Sequence, residues 1–102
     1  MTTELPDYNG WDNYFSWNVA LWLSNDEGIY RHALDIVQHA RRGIDADDGL
    51  KAFVEEMNPI AGDASMFTDI LGYALAFVNW RAVSESLADE DDLARWEEAR
   101  KA

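Results

Sequence analysis

The chain contains no cysteine, only two prolines and only eight Lys and Arg among its 102 residues. The missing thiols exclude disulfides, thiolate metal sites and Cys nucleophiles, and fit a reducing compartment. Proline is confined to Pro6 and Pro59, both in expected connections, so the segments between them carry no internal helix breaker. Long apolar runs are missing too: none approaches the roughly 18 residues needed to span a bilayer. Met1 to Gly10 lacks the basic start of a signal peptide. The expectation is a soluble, cytoplasmic protein.

What the chain has in abundance is acid. Twenty Asp and Glu against those eight cations give a formal net charge of −12, yet 48% of the residues are apolar and 13% aromatic. A disordered acidic tail would be poor in Trp and Leu; this chain has enough apolar side chains to fold and to hold its negative charge on a rigid surface. Its length is that of one domain, residues 1–102, with one core and no room for a separate catalytic unit. Strong acidity disfavours direct contact with nucleic acid or an anionic membrane and favours a basic partner.

Apolar residues recur at three and four, and no alternating β-branched run appears, so the pattern predicts an all-α protein: a compact bundle of about five short helices after an irregular arm over residues 1–12. Asn13 is placed to cap a helix over Tyr14 to Ser24, and Asn25 or Asp26 to cap a second running to Arg42, with Gly43 ending it in a left-handed conformation. A third helix is expected over Asp48 to Met57, followed by the break N-P-I-A-G-D at Asn58 to Asp63. From Ser65 the apolar residues cover most of a helix circumference, which predicts a central, buried helix. Its small residues, Gly72 and Ala76, would admit a second helix closely, either within the monomer or across a homodimer. Asn79 is placed to cap a turn over Trp80 to Leu87, and Asp89 to Asp92 lead into a last helix over Leu93 to Lys101.

Reaction motifs are absent: there is no Gly-rich phosphate loop, no H-E-x-x-H, no G-x-S-x-G and no EF-hand loop, so the chain reads as a non-enzyme without cofactor. His32, Asp35 and His39 share one flank of the second helix, but three ligand types at such spacing arise by chance, and no metal site is assigned to them. Asn9 to Ile29 is unusually rich in Trp and Asn. Asn18 falls between Tyr14 and Trp22 on the apolar side, where it reads as a polar staple inside the core. The functional alternative is a small-ligand or peptide pocket lined by Trp11, Asn13, Trp17, Asn18 and Trp22.

The string N-Y-F-S-W-N-V-A-L-W-L-S-N-D-E-G-I-Y, Asn13 to Tyr30, resembles the signature N-Y-x-S/T-W-N-V-A-L-W-x-x-N-D-x-x-x-Y of a family of small acidic proteins of unknown function encoded in phages, plasmids and bacterial genomes. The block V-N-W-R-A-V-S-E, Val78 to Glu85, is similar to that family's second motif, written around V-N-W-x-x-I-A. Phe15 stands where Glu is usual and removes one charge from that face. The resemblance implies a mobile-element setting and carries no reaction.

That setting sharpens the charge argument, because phages and plasmids often carry small acidic proteins that imitate nucleic acid to block restriction or CRISPR effectors. Asp45 to Asp69 holds seven acids against Lys51 alone, and Glu85 to Glu98 holds seven against Arg95 alone, whereas Arg31 to Arg42 is net basic. Carboxylates three or four apart on a helix lie about 5–6 Å from each other, a spacing that suits a row of phosphates. The leading expectation is therefore a nucleic-acid mimic that inhibits a host defence protein by docking on its basic, nucleic-acid-binding surface. Its candidate contacts are Asp45, Asp47, Asp48, Glu55, Glu56, Glu85, Asp89, Glu90, Asp91 and Asp92, merged by the fold into one stripe.

Overall fold

A computed structural model describes residues 5–101; of the expected N-terminal arm, Met1 to Glu4 lie outside the described residues. Six helices follow in order: α1 Tyr14–Asn25, α2 Glu27–His39, α3 Gly43–Glu56, α4 Met66–Ala76, α5 Trp80–Leu87 and α6 Glu90–Lys101. The architecture is all-α with one helix more than expected. Helices α1, α2, α3 and α5 form the heart, with the most extensive packing between α3 and α5. Leu23, Ala33, Val37, Ala46, Leu50, Val83 and Trp96 bring residues from α1, α2, α3, α5 and α6 into one buried cluster.

Short polar side chains start the helices because they satisfy backbone N–H groups that no earlier turn can reach. Asn13 accepts from Ser16 N, Asp26 from Ile29 N, Ser65 from Thr68 N and Asn79 from Ala82 N. At α6 the arrangement is reciprocal: Asp92 N donates to Asp89 Oδ1 at 2.8 Å and Asp89 N donates to Asp92 Oδ2 at 3.1 Å. The acid run thus forms the start of α6 itself, which begins three residues before the expected Leu93. Ahead of α1, Tyr8 and Trp11 exchange backbone hydrogen bonds of 2.9 and 2.8 Å across Asn9 and Gly10. Both central residues have positive φ, as a two-residue hairpin turn of type I′ requires. The turn sets the Tyr8 ring against Trp17 at 4.7 Å and Tyr14 at 5.1 Å.

Two expectations fail. Gly43 does not end α2 in a left-handed conformation: α2 stops at His39, and Gly43 is the first residue of α3. A Cβ there would meet the Arg81 guanidinium, which would have to shift. The open end of α2 is closed by α6 instead. Arg95 Nε and Trp96 Nε1 both donate to Ala40 O, at 2.9 and 3.0 Å, and Arg95 Nη2 donates to Val37 O at 3.1 Å, so a cation answers the last carbonyls of α2.

The second correction concerns α4. It is not central: none of its residues is buried, and Met66, Phe67, Ile70 and Tyr73 are 64, 66, 59 and 69% exposed. The helix sits on the rim, with Leu71 and Leu75 bordering a hollow shared with Val19, Leu23 and Val54 of the body. The Cα radius of gyration, 14.5 Å, exceeds the ~13 Å usual for 100 residues. A helix standing on the rim fits that surplus.

Candidate functional site

The carboxylates divide according to which side of their helix faces the core. On α3, Ala46, Leu50 and Asp47 point inward, while Asp48, Glu55 and Glu56 are exposed and have no ion-pair partner among the described residues. Asp48 and Glu55 are seven residues apart, so they share one line about 10.5 Å long at 1.5 Å per residue. Asp45 prolongs that line by a turn but is engaged: Arg42 Nε and Nη2 reach its two oxygens at 3.0 and 2.9 Å. The hydrogen bond from Arg42 is the main reason the Asp45 carboxyl titrates below its usual range, with burial opposing and the Arg42 charge assisting. Glu97 is lowered in the same sense by the hydrogen bond from Arg100.

Two candidate contacts lie inside the protein. Asp47 is 8% exposed and takes Arg81 Nε at 3.0 Å, leaving its Oδ1 without a hydrogen-bond partner. Asp92 is 4% exposed, receives the Asp89 N–H and pairs with Arg95 at 3.0 Å. Neither can touch a partner, because a buried carboxylate is kept in place by the donors that replace its water. The exposed members of the set are Asp48, Glu55, Glu56, Glu85, Asp89, Glu90 and Asp91.

The single stripe does not form. A cleft opens where the start of α3 meets α5 and α6, and its walls include Arg42, Arg81 and Arg100 together with Glu85 and Glu97. A neighbouring depression is lined by Arg41, Arg95 and Lys101 beside Glu98. Most of the chain's cations are therefore gathered at this end, and Glu85 sits among them. Of the exposed candidates, all but Glu85 fall in two patches, the outer face of α3 and the start of α6, on helices that share no broad contact, while Asp12, Glu27, Asp35, Asp63 and Asp69 are exposed elsewhere.

The Trp and Asn residues also separate. Trp11 and Trp17 border a hollow shared with Tyr30 and Leu87, whereas Asn18 and Trp22 border a different one beside α4, so no common pocket unites them with Asn13. Asn13 is the polar staple expected of Asn18. Its Nδ2 donates to Phe77 O at 2.9 Å, its Oδ1 accepts from Ser16 N at 2.9 Å and from Ser16 Oγ at 3.2 Å. Ser16 Oγ in turn accepts from Asn79 N at 2.8 Å, and Asn79 Nδ2 donates to Asp12. Asn13 and Ser16 belong to the first sequence signature and Asn79 to the second, so the two motifs meet through a hydrogen-bonded lock that joins the start of α1 to the junction of α4 and α5. The sequence alone marks Asn79 only as a cap and gives Ser16 no role. Their presence in the two motifs was the available signal.

The His residues part company as well. His32 stacks on Phe53 with ring centroids 4.2 Å apart, while His39 Nδ1 faces Asp35 at 3.1 Å. Among the described residues, no three His, Asp or Glu side chains converge as metal ligands. No helix among them is long and apolar enough to cross a membrane.

Comparison with known proteins places the chain in a family. It belongs to a family of unknown function, DUF7249, whose profile matches residues 4–98. No curated protein and no solved structure matches it.

Proposed function

We propose that this member of the DUF7249 family is a non-enzymatic acidic binding protein, encoded by a phage or other mobile element, that docks on the basic nucleic-acid-binding surface of a host defence protein of the restriction or CRISPR type. It works in the host cytoplasm as a partial mimic of the phosphate backbone. The observation that carries the reading is the outer face of α3, where Asp48, Glu55 and Glu56 stand exposed and unpaired, with Lys51 the one cation among them on that face. Asp89, Glu90 and Asp91 add a second patch at the start of α6.

The physics sets the size of the imitation. Duplex DNA carries one charge per ~1.7 Å of axis, so a pair of patches with about six exposed carboxylates replaces a few phosphates and not a long groove. Such an interface depends on long-range attraction between unlike charges, which speeds encounter and is screened by salt.

The test uses the full chain immobilised against host lysate at 50 and 500 mM NaCl, beside the triple variant Asp48→Asn, Glu55→Gln, Glu56→Gln. The reading expects nucleic-acid-binding proteins retained by the natural sequence at low salt, released at high salt and lost with the variant. Retention that is insensitive to salt, or equal for the variant, would overturn it.

A further inference from the structure

The surface of α4 stands apart from the charged surfaces. Met66, Phe67, Ile70 and Tyr73 follow one another at the spacing of a single helix face, and all four are more than half exposed. Trp22, 61% exposed, and Met57, 40% exposed, border the shallow cavity of about 220 Å³ on the Leu71 and Leu75 side of α4. From Ser65 to Trp80 the only charged residue is Asp69.

We infer that this face is a two-fold interface between copies of the chain, with α4 packed antiparallel on α4 of the partner. The first reason is area. With a fully exposed aromatic side chain worth about 150–250 Å², the six side chains present on the order of 600 Å². That is at the top of the roughly 300–600 Å² exposed by the largest patch of an ordinary monomer. With the rim around it, the face approaches the roughly 800 Å² that each partner contributes to a standard interface.

The second reason is charge. Two chains of net charge −12 repel each other, and the α4 face is where they meet with the fewest carboxylates opposed. A basic partner would find only Asp69 there to answer its cations, whereas a second copy brings an equally uncharged surface. The third reason is shape. Met66, Ile70 and Tyr73 stand in one row along α4, and an antiparallel pair places the same residues on both sides of the axis, as a two-fold contact requires. The apolar circumference of α4 is thereby covered between molecules instead of within one.

Sedimentation equilibrium at 100 μM protein, in 100 and 500 mM NaCl, tests the inference. The expected mass is twice the 11.6 kDa of the chain, with dimerisation tighter at the higher salt because repulsion between the copies is screened. Ile70→Glu, a change at an exposed position, is expected to give monomers with an unaltered helical circular dichroism spectrum. The chain has no natural cysteine, so Ile70→Cys is expected to form an intermolecular disulfide under mild oxidation, and Asp48→Cys is not. A monomer in both salts, a dimer that dissociates as salt rises, or a dimer indifferent to Ile70→Glu would overturn the inference. The salt response has the opposite sign to that of the acidic patches, so failure of one proposal is distinguishable from failure of the other.

Discussion

Replacing Asn13 by Ala removes three hydrogen bonds at once, and each can be assigned a consequence. Loss of the cap on α1 costs about 1 kcal/mol. The Ser16 hydroxyl, fully buried, loses the acceptor it shares with the Ser16 N–H, and Phe77 O loses the Nδ2 donor. A buried polar group left without a partner costs about 1–3 kcal/mol, and some of that is recovered where water enters. The expected total is roughly 2–4 kcal/mol, which at about 4–8 °C per kcal/mol lowers Tm by some 8–32 °C. Thermal unfolding followed by circular dichroism reads the shift. Asn13→Asp separates cap from lock: a carboxylate still caps α1, but it cannot donate to Phe77 O and stands near Asp12. It should cost at least about 1 kcal/mol. Ser16→Ala should be non-additive with Asn13→Ala, with a coupling of about 0.5–3 kcal/mol. An Asn13→Ala variant within 0.5 kcal/mol of the natural protein, or a neutral Asn13→Asp, would refute the view that the two motifs form one buried lock.

Gly43→Ala offers a test of sign. Helix propensity alone predicts a gain approaching 1 kcal/mol, but the added Cβ displaces the Arg81 guanidinium and strips Asp47 of its only partner. Because the Arg81 side chain is half exposed, the expected net loss is about 1–3 kcal/mol, below the 3–5 kcal/mol of a fully buried pair. Gly43→Ala added to Arg81→Ala should cost nothing more, as chemical denaturation of the four proteins would show. The carboxyls of Asp45 and Glu97 should titrate below the ordinary 3.8 and 4.5. A depressed folded value means that their contribution is present above the unfolded value and is lost as pH falls through the folded one. Carboxyl NMR is the proper readout, since global stability also gains from relief of repulsion on acidification. The variant Asp48→Asn, Glu55→Gln, Glu56→Gln should keep or slightly raise Tm at low salt, because it removes repelling surface charges and touches no buried group; a large loss of Tm would show that these side chains support the fold.

Local signals carried well from sequence to structure. Asn13 and Asn79 are legible as caps, and Asp26 as one of two candidates beside Asn25, because a cap needs only a short acceptor side chain and the two or three residues after it. The α2–α3 boundary was misread because Gly after Arg41-Arg42 looks like a helix stop, and the true reason for Gly43 is a guanidinium 38 positions later. The sequence pattern does not place α4 on the rim, because hydropathy reports that a face is apolar without saying whether the same molecule covers it. Acid counting located Asp48, Glu55 and Glu56 correctly on the outside, yet it could not see that Asp47 and Asp92 are turned inward to Arg81 and Arg95. Nor could it show that Arg42, Arg81 and Arg100, far apart in sequence, would gather in one cleft beside Glu85.

Competition with DNA addresses the acidic-face proposal most directly. Host proteins held by the immobilised chain at 50 mM NaCl should be released by a short duplex oligonucleotide at constant ionic strength, since both ligands would occupy one cationic surface. Captured proteins that stay bound under saturating duplex would contradict the account, because the carboxylates of α3 and α6 would then be meeting something other than a nucleic-acid site.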